Sequence, residues 1–139
     1  SGDARLDYAE LRVDLPAGEK KALAEQFRPL KLASGPQASP GQKVFMPNHG
    51  QDALGISFLN TKGQPTTLKG YDQHSRNQGT VYHDAFKKPG TSGSPLISVD
   101  TGEIVALHNG SIGASVNGQR DSMGAATRID LIQQHRRRR

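Results

Sequence analysis

The fold is decided by the stretch Gly90-Thr91-Ser92-Gly93-Ser94-Pro95. Its two glycines can adopt backbone conformations that are closed to residues with a Cβ, so they permit a tight turn around Ser92. Such a turn exposes a serine hydroxyl and leaves the N–H groups of Gly90 and Ser92 to hold the oxyanion of an acyl-transfer intermediate. Pro95 suits the start of a strand, where a missing N–H is tolerated. The pattern therefore indicates either a nucleophilic serine in its oxyanion loop or a surface turn rich in glycine and serine.

Four segments of the chain resemble, in the correct order, landmarks of the chymotrypsin-fold (trypsin-like) serine peptidases, in their cysteine-free bacterial and viral branch. Residues 89–95 are similar to the flaviviral serine proteases, and residues 92–95 with the apolar strand and the histidine after them resemble the bacterial glutamyl endopeptidases. Residues 6–13 resemble the aspartate-bearing strand. Residues 40–50 resemble the opening strand of the second barrel and the histidine turn after it, and residues 124–132 resemble the last strand with the terminal helix.

The fold that this resemblance implies is mainly β. It is an antiparallel six-stranded Greek-key barrel, the second barrel of a chymotrypsin-like fold, with a short N-terminal helix and a C-terminal helix. Short apolar runs separated by turn signals agree with a small barrel. We expect strands at residues 44–46, 54–59, 66–71, 79–83, 95–98, 104–108 and 124–129.

The region before the barrel carries one strand and one helix. Residues 7–13 alternate as in a strand, and Pro16 suits the first turn of a helix that continues to about Phe27. Leu23, Phe27 and Leu30 form a narrow apolar stripe that would dock on the barrel. We divide the chain into an aspartate-bearing strand and helix that belong with a first lobe (1–33), an interlobe linker (34–41), the C-terminal β-barrel (42–132) and a basic tail (133–139).

The resemblance also implies the catalytic roles. Ser92 would be the nucleophile, the N–H groups of Gly90 and Ser92 would form the oxyanion hole, and Asp7 would orient the histidine base. Glu10 departs from the family pattern, because that position of the aspartate-bearing strand is normally apolar.

Two residues give opposite expectations for the substrate pocket. His108 matches a histidine that meets an acidic substrate side chain in the glutamyl endopeptidases, although a histidine satisfied by backbone partners is the alternative. Asp84, eight residues before Ser92, would instead attract Lys or Arg, as in the flaviviral relatives, but Lys87 lies nearer to the serine. The residues assigned to substrate binding are His108, Asn109, Gly110 and Asp84.

The family's triad runs histidine, aspartate, serine along the chain, and here the sequence begins six residues before Asp7. All five histidines follow that aspartate; they are His49, His74, His83, His108 and His135. We therefore expect a serine endopeptidase in the form of a fragment, or of one chain of a two-chain enzyme, that is inactive without an N-terminal lobe carrying the catalytic histidine. A base from within the chain and an inactive trypsin-like module that acts in protein–protein interaction are the alternatives.

The composition narrows the other function classes. The chain has 139 residues, of which 33% are hydrophobic, and it contains no cysteine, so disulfides and thiolate metal sites are excluded. Its apolar runs fall far short of the ~20 residues of a membrane span, and the histidines lack ligand spacing for a metal. The basic residues are mixed with acidic ones and lack interleaved aromatics, and the terminal arginines indicate a tail. We expect no cofactor, no nucleic acid and no membrane, but a polypeptide substrate and the histidine-bearing lobe as partners.

Overall fold

The computed structural model describes residues 2–3, 6–35, 38–71, 79–116 and 119–138. Neither α-helix in this part of the chain is long and apolar enough to cross a membrane. The elements, in chain order, are β1 (Gly2–Asp3), β2 (Tyr8–Ala9), α1 (Ala17–Gln26), β3 (Val44–Asn48), β4 (Gly55–Ser57), β5 (Leu68–Tyr71), β6 (Thr80–His83), β7 (Pro95–Ser98), β8 (Ile104–Val116), β9 (Gln119–Arg128) and α2 (Ile129–Arg137).

A single curled antiparallel sheet dominates the structure. Its seven strands follow the order β4-β3-β7-β8-β9-β6-β5. The sheet curls until Lys43, just before β3, pairs with Thr67, just before β5. The Val44 N–H donates to the Thr66 carbonyl and the Leu68 N–H to the Gln42 carbonyl, each over 3.0 Å. The predicted chymotrypsin-like barrel with a C-terminal helix is thus confirmed. Its sheet has one strand at each of the seven predicted runs, which is one strand more than the six-stranded barrel that the resemblance implies.

The barrel interior is filled by alternate strand residues, as strand geometry requires. In β3, Val44 and Met46 are buried while Phe45 between them is half-buried, and β6 buries Val81 and His83 in the same way. A second apolar cluster joins the barrel to α2. Its buried members are Ile97, Ile104, Ile129 and Ile132.

The hairpin of β1 and β2 rests against α2. The Tyr8 hydroxyl lies 2.6 Å from Nδ1 of His135, and the Arg136 guanidinium lies 2.8 Å from the Glu10 carboxylate. Glu10, which departs from the family's apolar pattern, is therefore half-exposed and in an ion pair with the terminal helix.

The prediction for the N-terminal region is only partly correct. The strand expected at residues 7–13 ends at Ala9, where its pairing with Gly2–Asp3 ends; Leu11 and Val13 beyond it are 85% and 66% exposed. Helix α1 forms as predicted, with Pro16 as its N-cap. None of its residues is buried, however, and the apolar stripe does not dock on the described part of the barrel.

The β8–β9 hairpin is longer than predicted. The sequence indicates strands only at residues 104–108 and 124–129, whereas pairing continues to Val116 and Gln119. In this extension Ile112, Ala114 and Val116 alternate with small residues, as in a strand, but the glycines among them weaken the pattern. The sequence prediction therefore ended too early, and pairing between the two backbones continues the hairpin.

Candidate active site

Ser92 stands at the tip of the turn between β6 and β7. Gly90 and Gly93 both have φ of +88°, a conformation that side chains with a Cβ rarely adopt. Inside the turn, the Ser94 N–H donates to the Thr91 carbonyl over 3.1 Å. Thr91 and Ser94 are buried, whereas Ser92 between them is exposed. The turn that the two glycines predict therefore forms, and it presents the Ser92 side chain to solvent.

Strand β8 fixes the position of this turn. The Gly93 N–H donates to the His108 carbonyl over 2.7 Å, and the His108 N–H donates to the Ser94 carbonyl over 2.8 Å. Two backbone hydrogen bonds therefore hold the backbone of His108 against the Ser92 turn.

Two backbone N–H groups beside Ser92 are free to bind a ligand. The Pro89 carbonyl accepts a hydrogen bond of 3.1 Å from the Gln51 N–H. Because a trans peptide is planar, the Gly90 N–H points in the opposite direction from that carbonyl. Within the described residues, neither the Gly90 nor the Ser92 N–H has a hydrogen-bond partner.

A pocket of about 300 Å³ opens beside Ser92. Four of the residues predicted for the site line it together, namely Ser92, Gly90, His108 and Gly110. Lys87 and Lys88 line it as well, although the sequence analysis gave neither a role. Their position immediately before Pro89, within five residues of Ser92, could have suggested that they lie near the site.

Asn109 and Asp7 lie outside this lining. The Asn109 amide donates to Oγ1 of Thr127 over 2.9 Å, and the Thr127 hydroxyl donates to the Leu6 carbonyl over 2.6 Å. This chain of hydrogen bonds ties the residue before Asp7 to the strands that wall the pocket. Asp7 itself is exposed in the β1–β2 turn with φ of 48°, a conformation that aspartate tolerates better than most residues.

Asp84 does not line the pocket either. Its carboxylate accepts hydrogen bonds from the Asn60 amide (3.0 Å) and the Thr67 N–H (2.8 Å), and it pairs with the Lys69 ammonium at 2.9 Å. Burial raises the pKa of Asp84, but these hydrogen bonds and the charge of Lys69 outweigh burial and hold the pKa below its usual value. This carboxylate is therefore ionised and engaged with partners of its own.

A pair of histidines underlies the pocket. The His83 Nε2 lies 3.0 Å from the His108 Nδ1, and the two rings meet edge to face with centroids 5.0 Å apart. His83 faces Gly124 on the intervening strand β9, and a Cβ at that glycine would overlap the imidazole. Because Gly124 has no side chain, the ring of His83 can reach across β9 to His108 on β8.

Both imidazoles are neutral near pH 7. Burial, followed by the charges of His108 and Lys87, lowers the pKa of His83 to about 3, although the charge of Asp84 acts in the opposite direction. Burial and then the charge of Lys87 also lower the pKa of His108, while a hydrogen bond to the backbone of Ala125 raises it. The Ala85 N–H donates to Nδ1 of His83 over 3.2 Å, so the proton of the neutral ring is on Nε2 and points at His108.

The contact between these two histidines was not predicted from the sequence. The two residues are 25 positions apart, and only the alternation of Val81 and His83 hinted that His83 points inward. Within the described residues no group of His, Asp or Glu side chains could hold a metal ion.

The buried pair predicts a loss of stability in mild acid. Between pH 6.5 and about 3 the unfolded chain binds a proton at His83 that the native chain does not. The free energy of unfolding is expected to fall by about 1.4 kcal/mol per pH unit as the pH decreases through this range, and His108 adds to the fall because its pKa is also lowered. Urea unfolding at a series of pH values would measure the slope. A His83→Gln variant should show a smaller slope, and equal slopes would contradict the prediction.

Three comparisons with known proteins bear on this site. Residues 1–107 match the family model described as the trypsin-like peptidase domain, which covers more than half of the chain. Among solved structures, the chain is similar to the crystal structure of tobacco vein mottling virus protease, with 20% identity and a TM-score of 0.43. That match covers 71% of this chain and 39% of the viral chain, so the protein spans well under half of the viral protease. No curated protein matches the chain.

Proposed function

The chain belongs to the trypsin-like peptidase domain family, and we propose that it carries Ser92 as the nucleophile of a serine endopeptidase. One observation carries the proposal. Ser92 is exposed on a turn held by two glycines at φ of +88°, beside two free N–H groups and a pocket lined by His108. Nucleophile, oxyanion donors and substrate pocket are the three parts that acyl transfer requires in one place.

In the proposed reaction, Oγ of Ser92 attacks the carbonyl carbon of the scissile peptide bond while a histidine takes the hydroxyl proton. The carbonyl oxygen becomes an oxyanion, which the N–H groups of Gly90 and Ser92 would bind. Each such donor contributes roughly 10²–10³ in rate in comparable sites. The C–N bond then breaks as the histidine returns the proton to the leaving amine, and water hydrolyses the acyl-enzyme by the same steps.

The histidine base would come from a lobe outside these 139 residues. His83 is paired with His108, and His135 is bonded to Tyr8. No hydrogen bond joins Ser92 to an imidazole in the part of the chain that the structure describes, and His74 lies outside that part. In this proposal Asp7, tethered through Leu6 to Thr127, orients the imported imidazole and stabilises its cationic form.

An exposed apolar surface supports a missing partner of this kind. It consists of Leu11, Val13, Leu23, Phe27 and Leu30, which are all about half exposed or more. Apolar side chains spread along residues 11–30 of the chain are typical of a segment that packs against another protein surface. We propose that this surface contacts the histidine-bearing lobe.

The β8 strand would bind the substrate. His108 lines the pocket with a neutral ring whose nitrogens bond His83 and the backbone of Ala125, so it would shape the pocket without adding a charge. Gly110 leaves open space, since a Cβ there would meet no atom within 4 Å. Asn109, which lies between them, would hold the strand in place through Thr127. The hydrogen bonds of Asp84 do not support a role for it in binding a basic substrate side chain.

Peptide hydrolysis by the chain with and without its histidine-bearing lobe tests this proposal. Alone, the 139 residues should hydrolyse peptides no faster than their Ser92→Ala variant, because an unassisted hydroxyl is a weak nucleophile at neutral pH. Addition of the lobe from the same source should restore turnover. If the isolated chain shows cleavage that depends on Ser92, the base lies within the chain, and His74 and His49 are then the residues to replace.

A further inference from the structure

A loop after strand β3 packs against the Ser92 turn at a point that has no room for a side chain. This loop, called here the Gly50 loop, spans residues 49–53. Gly50 is buried, although its neighbours on both sides are exposed. A Cβ on Gly50 would lie 2.9 Å from Cγ2 of Thr91 and 3.0 Å from Cβ of Lys88. Both distances are well below the contact distance of two carbon atoms, so this close approach requires glycine.

The backbone of the Gly50 loop is in an unfavourable conformation. Gln51 and Asp52 have φ of 52° and 56°, in the left-handed region that residues with a Cβ rarely adopt. Aspartate tolerates this region better than glutamine does, so Gln51 is the more strained of the two. Strain of this kind persists only where surrounding contacts impose it, and it is typical of functional sites. In this conformation the Gln51 N–H donates to the Pro89 carbonyl over 3.1 Å.

Strands β3 and β4 support the Gly50 loop on the side away from the Ser92 turn. The Asn48 amide donates to the Met46 carbonyl and to Oγ of Ser57, each over 3.0 Å. Oδ1 of Asn48 accepts a hydrogen bond of 3.4 Å from the Gly50 N–H. The loop is therefore fixed to the barrel on one side and to the Ser92 turn on the other.

We propose that Gly50 is a positioning residue that keeps the oxyanion hole formed. Because Gly50 has no side chain, the loop comes close enough for the Gln51 N–H to hold the Pro89 carbonyl. That hydrogen bond fixes the planar peptide that carries the Gly90 N–H. Without it the peptide can rotate, since glycine at position 90 opposes rotation little, and the N–H then turns away from the oxyanion. This inference rests on the proposed function of Ser92, because it assigns a support to the oxyanion donors of that serine.

NMR of the 139-residue chain tests the contact without requiring catalysis. Gly50 does not have a positive φ, so Gly50→Ala adds a methyl group without straining the backbone of residue 50 itself. The methyl should push the loop away from Thr91. The scalar coupling across the hydrogen bond between the Gln51 N–H and the Pro89 carbonyl should then disappear. Gly18→Ala is the control and should retain the coupling, because a Cβ at this exposed residue meets no atom within 4 Å.

The catalytic consequence is expected in kcat. For the chain with the proposed histidine-bearing lobe, Gly50→Ala should lower kcat about 10²-fold, the effect of losing one oxyanion donor, and leave KM nearly unchanged. Adding Thr91→Ser to this variant removes the methyl group that the new side chain meets, but keeps the hydroxyl that donates to the Lys88 carbonyl over 2.9 Å. The double variant should regain about tenfold in kcat, as expected for two residues in contact.

A second change removes the same hydrogen bond without adding bulk. The α-hydroxy analogue of Gln51 replaces its N–H with an oxygen and keeps the side chain. It should lower kcat about as much as Gly50→Ala does, because both changes release the Pro89 carbonyl. This variant keeps the inference testable even if Gly50→Ala does not fold.

The outcomes separate this inference from the proposed function. Retention of the coupling in Gly50→Ala, an effect on KM alone, or full kcat in the α-hydroxy variant would overturn the positioning role. A double variant no faster than Gly50→Ala would overturn it too. If the coupling disappears in Gly50→Ala but the original chain with the lobe hydrolyses no peptide, Gly50 still fixes the Pro89–Gly90 peptide, and it is the proposed peptidase function that fails.

Discussion

Peptide hydrolysis by the chain together with the proposed histidine-bearing lobe is expected to fall roughly 10⁶-fold in kcat when Ser92 is replaced by alanine. The exchange removes the oxygen that would form the acyl-enzyme, and no neighbouring hydroxyl can replace it, because Thr91 and Ser94 are buried in the turn. The backbone should keep its shape, since Ser92 does not have a positive φ and its side chain is exposed. Initial rates on a peptide library would measure the loss.

Ser34→Ala is the matched control, because Ser34 is exposed and lies outside the pocket. It should retain the full rate. A Ser92→Ala enzyme with more than a hundredth of the original kcat would contradict the assignment of Ser92 as the nucleophile.

The second large effect is expected at Asp7. An Asp7→Asn exchange should lower kcat by about 10⁴-fold with little change in KM, because an amide favours the wrong tautomer of the histidine base. Asparagine is the informative replacement here, since it tolerates the left-handed conformation of Asp7 as well as aspartate does. Steady-state kinetics of the chain with its lobe would separate kcat from KM.

Asp14→Asn provides the comparison for this prediction. Asp14 is exposed and, among the described residues, pairs only with Arg12 two residues away, so its exchange removes a charge from the same region without touching the site. Equal kinetics for the two variants would show that Asp7 does not orient the base, and a different carboxylate would then have to be sought on the proposed lobe.

The parts of the site that depend on local backbone chemistry could be predicted from the sequence. Gly90 and Gly93 must lie where a residue with a Cβ would be strained, and both have positive φ in the structure. Strand β7 begins at Pro95 and ends at Ser98, as predicted, because four residues with mostly buried side chains follow the turn. Pro16 likewise marks the start of helix α1.

The parts that depend on distant contacts could not be predicted in this way. The contact between His83 and His108 requires that Gly124 lie between them on β9, a register that the pairing of β6, β9 and β8 sets and that local sequence does not specify. Lys87 received no role because nothing in the sequence places it beside His108, with which it lines the pocket. The apolar stripe of Leu23, Phe27 and Leu30 was expected to dock on the barrel, but its residues are about half exposed in the described part of the chain.

The reaction of Ser92 with a fluorophosphonate is the most direct test of the central claim, because this reagent modifies a serine that a base has activated. Intact mass and peptide mapping would be measured for the chain alone, for the chain with its histidine-bearing lobe, and for the Ser92→Ala variant with that lobe. The account predicts one adduct, on Ser92, that forms rapidly only when the lobe is present. An adduct on a different residue, or no adduct in the presence of the lobe, would contradict the claim that Ser92 is a catalytic nucleophile.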